Sequence, residues 1–168
     1  MSFFNSRRFL PLFLTQFLGA FNDNLLKNSL VMLITYRLAT GENAQLLVTA
    51  AAGLFILPFF LFSATAGQVA DKIDRARITR VIKFVEIVIM AAATIGFYTS
   101  SVWFLMFVLF MMGVHSTFFG PIKYALLPQH LKDDELLLGN AYIEAGTFLA
   151  ILFGTILGGI LILHEQGI

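Results

Sequence analysis

Long apolar runs separated by short polar links recur five times along the chain, at about 9–38, 46–69, 78–98, 102–127 and 138–163. Each run reaches or exceeds the ~20 residues that carry a helix across a ~30 Å hydrocarbon core at 1.5 Å per residue. The links "ATGENAQ", "ADKIDRAR", "TSS" and "PQHLKDDEL" are too short to hold a further element. Phe and Leu surround each run on all sides, and the period-2 alternation of a membrane barrel is absent. The pattern therefore predicts an all-α integral membrane bundle of about five transmembrane helices.

Composition agrees: 58% of the 168 residues are hydrophobic and 12% charged, where a soluble domain has roughly a quarter of its residues charged. The first run is too long for the apolar part of a cleaved signal peptide and reads as a retained span. With no cysteine in the chain, disulfides, zinc–thiolate sites and thiol catalysis are excluded. A net charge of +1 without a basic tract gives no reason to expect nucleic acid as a partner. Orientation follows from the basic residues at the span ends. With the N-terminus cytoplasmic, Arg7, Arg8, Lys72, Arg75, Arg77, Arg80 and Lys132 lie inside and only Arg37 outside. An odd number of spans leaves the fifth without a partner, so a truncated piece of a longer protein is the economical reading.

The first run carries polar residues where hydrocarbon is expected. Gln16, Asp23 and Lys27 fall within about 40° of one line along a helix, flanked by Asn24 and Asn28, with Asn22 in the same polar stretch. An unpaired ion at this depth costs about 2.5–3.5 kcal/mol on the insertion scale, and Lys27, one turn on, is placed to pair with Asp23. A single Asn would suffice to associate helices, so six polar residues favour a substrate or ion path in a wet cavity. Elsewhere, Lys83 and Glu86 are expected to anchor the third span at the membrane surface. His115 reads either as buried structure or as a proton relay, near a Gly120-Pro121 step able to kink the fourth span. Lys123 and Glu144 fall at similar depth on antiparallel neighbours; they suit a salt bridge, or Lys123 suits an anionic substrate group. Gly154 and Gly158 permit close helix packing. No nucleophile–base pair, metal cluster or phosphate loop is present, so no catalytic site, cofactor or metal is expected.

The inner link "AGQVADKIDRARITR" places Gly67 where two helices would meet and Asp71 just before the third helix, where a carboxylate caps backbone N–H groups. Gly67 to Arg77 resembles the signature loop between helices two and three of the major facilitator superfamily, with Asp74 where that pattern prefers glycine and Ala76 at a usually basic position. The resemblance implies that Asp71 and Arg75, with Gly67 and Arg77 in the same loop, form an inner-face latch between two transporter halves. "QFLGAFNDN", "FFGPIKYALLP" and "LLLGNAYIEAGTFLAILFGTILGG" are similar to the N-terminal part of the bacterial lysophospholipid transporter branch, over about Gln16 to Gly159. That branch implies a multi-pass protein of the bacterial inner membrane that flips lysophosphatidylethanolamine-type lipids to the inner leaflet, sometimes fused to acyltransferase and acyl-acyl carrier protein synthetase domains. By this resemblance Asp23 would meet the head-group amine, Asn24 would orient it, Lys123 would meet the phosphate and Glu144 would position Lys123. The remaining helices of a longer transporter would complete the cavity. A proton-coupled drug exporter, a membrane enzyme and a noncatalytic assembly subunit are the alternatives.

Overall fold

The structure, a computed structural model, describes residue 4, residues 6–38 and residues 41–164. Five helices follow one another: α1 (Leu10–Leu33), α2 (Glu42–Lys72), α3 (Arg75–Tyr98), α4 (Val102–His130) and α5 (Leu136–His164). A π-helical segment, Ile34–Leu38, continues α1. By length and composition α2, α3, α4 and α5 qualify as membrane-crossing helices. With its 24 residues α1 matches α3 in length; its polar insert Asn22–Asn28 is what sets it apart.

Helix ends follow local chemistry. Pro11 stands in the first turn of α1, where its missing N–H has no partner to lose. At the start of α3 the capping residue is Asp74, whose carboxylate accepts from the Arg77 amide at 2.8 Å. Asp71 lies instead in the last turn of α2, which corrects the expectation that it caps the third helix; α2 runs three residues further than its apolar pattern. α3 ends in a Schellman turn: the Ser101 amide bonds the Gly96 carbonyl, the Ser100 amide bonds that of Phe97, and Ser100 takes φ +50°. α4 passes through Pro121 and Pro128 as one element.

The bundle is organised in pairs. α1 packs along α5, α2 along α4, and α3 lies on α4. Gly154 and Gly158 make the first pairing possible: a Cβ on Gly154 would sit 2.6 Å from the Phe21 carbonyl oxygen, and one on Gly158 2.8 Å from that of Leu25. Gly113 does the same for α2 and α4, 2.5 Å from the Phe55 carbonyl. Two apolar cores result. One gathers Leu26, Leu30, Ile89, Leu105, Leu109 and Met112; the other gathers Phe9, Leu12, Ile78, Phe119, Ile122 and Leu127. Along α1, α3 and α4 the residues between the two cores include Asn22, Asp23, Lys83, Glu86, His115 and Ser116. A polar layer thus divides the bundle at mid-depth.

Candidate functional site

Within this layer a cavity of about 330 Å³ opens, walled by Gln16, Asp23, Asn24 and Lys27 of α1, Phe55 and Phe59 of α2, Lys83 of α3, Ser116 and Lys123 of α4, and Thr147 of α5. Five of the seven residues singled out for a substrate path, Gln16, Asp23, Asn24, Lys27 and Lys123, therefore share one cavity. Asn22 and Glu144 do not line it.

The polar stripe of α1 divides its work. Asp23 accepts from the Ser116 hydroxyl at 2.7 Å through Oδ2, while Oδ1 is buried without a hydrogen-bond donor among the described residues. The expected Asp23–Lys27 pair does not form. Asp23 turns to α4, and the Lys27 ammonium sits 5.2 Å from the Phe55 ring centre on α2, a cation–π contact. Gln16 donates to Thr147 at 3.1 Å, Asn28 to the Thr155 carbonyl at 2.5 Å and Ser29 to the Gly158 carbonyl at 3.2 Å. These bonds knit α1 to α5. Asn24 donates back to the Ala20 carbonyl of its own helix at 2.8 Å.

Asn22 faces α3 instead and donates to Glu86 Oε1 at 2.8 Å. Glu86 is only 4% exposed; its Oε2 lies 2.7 Å from Lys83 Nζ and 3.5 Å from His115 Nε2. The Lys83 ammonium also stands 4.0 Å from the Phe119 ring centre. Lys83 and Glu86 are therefore no surface anchor but an interhelical joint of α1, α3 and α4. Their i,i+3 spacing sets both on one face of α3, and Gly19 makes room for them: a Cβ there would lie 2.6 Å from Lys83 Nζ. That spacing, taken with Gly19 on the facing helix, was the signal available in the sequence; depth along the span obscured it. His115 is part of this joint.

Lys123 and Glu144 form the bridge that their depths allowed, at 3.7 Å, and the Tyr124 hydroxyl donates to Glu144 at 2.8 Å. Glu144 keeps 43% side-chain exposure, so the bridge contributes about 0–1 kcal/mol. At the inner link, Arg75 donates to the Ala125 carbonyl at 2.9 Å and ties the loop to α4. Arg77 and Asp71 are exposed. A Cβ on Gly67 would meet no heavy atom within 4 Å, so the close helix contact expected there is not made among the described residues. A separate apolar groove of about 400 Å³ lies between α3 and α4 and touches the polar layer at His115. Among the described residues no group of three His, Asp or Glu side chains is placed to hold a metal ion.

Comparison with known proteins accords with this architecture. The sequence profile described as Major Facilitator Superfamily matches residues 12–166. The chain is 30% identical over 156 residues to the lysophospholipid transporter LplT of Serratia proteamaculans (strain 568), covering 93% of this chain and 37% of that protein. It is 28% identical over 161 residues to the transporter of the same name from Citrobacter koseri, with 93% and 37% covered, and equally to that of Salmonella schwarzengrund, with 93% and 36% covered. The chain thus spans little more than a third of the length of the curated relatives it matches. No solved structure matches it. With nearly its whole length matched by the profile, the chain belongs to the Major Facilitator Superfamily.

Proposed function

We propose that the chain is the N-terminal part of a secondary transporter that moves lysophospholipids, of the lysophosphatidylethanolamine type, from the outer to the inner leaflet of the bacterial inner membrane. The remaining helices of a longer chain would close the cavity. The observation that carries this reading is a carboxylate with an unused buried oxygen, Asp23, and an ammonium, Lys123, in one aromatic-walled cavity. A zwitterionic head group offers both opposite charges: its amine would lie at Asp23, oriented by Asn24, and its phosphate at Lys123, which Glu144 and Tyr124 position from behind. Asp71, carried by the last turn of α2 and exposed, would latch to the other half of the transporter with Arg77 beside it, and Arg75 would hold the loop on α4.

The test is transbilayer movement of labelled lysophosphatidylethanolamine in proteoliposomes made with the full reading frame. Asp23→Asn keeps the shape and the Ser116 contact but removes the charge, and is expected to reduce the rate at least tenfold; Lys123→Ala should do the same. Unchanged rates in both variants would sink the assignment. The buried contact of His115 with the Lys83–Glu86 pair favours a second reading, a proton-coupled exporter of amphiphiles. Collapse of the proton gradient would stop that exporter.

A further inference from the structure

A second polar pocket lies at the end of the bundle where the basic residues gather. It occupies about 270 Å³ between the start of α1, the start of α3 and the end of α4. Arg7 and Arg8 enter from the residues before α1, Arg80 from α3 and His130 from the last residue of α4, over a floor that includes Leu12 and Leu126. No carboxylate lines it. The nearest counter-charge is Glu135, 3.8 Å from Arg8, whose side chain remains half-exposed. Arg7 has no hydrogen bond or ion pair among the described residues, and Arg80 uses only Nε, on the Ala76 carbonyl at 3.2 Å. Three arginines thus line one pocket with most of their N–H donors unused among the described residues, and guanidinium groups suit bidentate contact with phosphate oxygens.

We propose that this pocket binds the head group of an anionic diacyl phospholipid, a site distinct from the transport cavity. The apolar part of the lining, Pro11, Leu12 and Leu126, at the basic end of a membrane bundle selects a lipid over a free anion. Further along the same α1–α3 groove, a recess that shares Thr15 with the pocket is lined by Leu18, Ile87 and Met90, together with Asn22, Lys83 and Glu86 of the polar layer. There Leu18, Ile87 and Met90 would meet the start of an acyl chain. Basic pockets between membrane helices recognise anionic head groups in this way, with each basic residue near the surface strengthening binding about fivefold.

The measurement is lipid retention by native mass spectrometry of the detergent-solubilised protein with equal amounts of dioleoyl phosphatidylglycerol and dioleoyl phosphatidylcholine. Phosphatidylglycerol should be retained at least tenfold better. Arg7→Gln with Arg80→Gln should lower its retention about 25-fold, at about fivefold per arginine. Arg77→Gln, on the same surface but outside the pocket, should change it less than twofold. Both substituted arginines are exposed, so folding is not at stake. Equal retention of the two lipids, or equal loss in Arg77→Gln, would overturn the site. Displacement of the lipid by millimolar inorganic phosphate would reassign it to a free anion and overturn the lipid proposal.

Discussion

Glu86 is the residue on which the polar layer turns. It is buried, and it is in contact with an ammonium, an amide and an imidazole from three helices. Removing one member of a buried ion pair strands the other, at a cost of about 3–5 kcal/mol, while replacing both by neutral groups of similar volume is near neutral. Glu86→Ala should therefore lower stability by about 3 kcal/mol, since Lys83 retains some access to its surroundings. Lys83→Met with Glu86→Gln, which keeps an acceptor for Asn22, should stay within about 1 kcal/mol of the parent. Denaturant unfolding in micelles reads both; equal loss in the single and double variants would show that packing, not charge, holds the joint. The sequence disclosed that Asp23 and its neighbours had to face protein or water, because hydrocarbon would not tolerate them. It did not disclose their partners. A partner depends on how each helix is turned, and polar residues on α1 point toward α3, α4 and α5 alike.

Helix existence was legible because each apolar run is as long as a bilayer is thick, whereas helix ends were set by caps that hydropathy does not register. Asp74 rather than Asp71 starts α3 because α2 continues to Lys72, and only a carboxylate beyond that point can reach the Arg77 amide. The small-residue spacing Gly154-x-x-x-Gly158 was a reliable sign of close packing, and the structure shows that its partner is the backbone of α1. Gly67 and Gly53 were not distinguishable from it by composition, yet neither is approached. Gly154→Ala should accordingly destabilise the bundle by about 1–3 kcal/mol through forced separation of α1 and α5. Gly53→Ala should stabilise α2 by about 0.5–1 kcal/mol through helix propensity. Thermal unfolding of the two variants in the same micelle should move in opposite directions; movement in the same direction would contradict the packing of α1 on α5.

At the level of the whole molecule the pairings are symmetric: exchanging α1 with α4 and α2 with α5 turns the α1–α5 contact into the α4–α2 contact. Nested inverted repeats of three helices, two in each six-helix half of this superfamily, produce that relation. Inverted repeats require α1 to cross the membrane in the sense opposite to α4, so α1 must span despite its polar insert. Protein must cover that insert, and α3, α4 and α5 do so through the bonds of Asn22, Asp23 and Asn28. The basic residues then predict which ends are cytoplasmic. The chain contains no cysteine, so single introduced thiols report position without background. Asn43→Cys and Thr99→Cys should react with an impermeant maleimide in intact cells, and Arg7→Cys, Arg77→Cys and Asp133→Cys only after permeabilisation. The mirror pattern would overturn the orientation read from the basic residues, and placement of Arg7→Cys and Asn43→Cys on the same side would mean that α1 does not cross. In that case the cavity around Asp23 would have no membrane to serve, because the wall that carries its carboxylate would lie outside the bilayer.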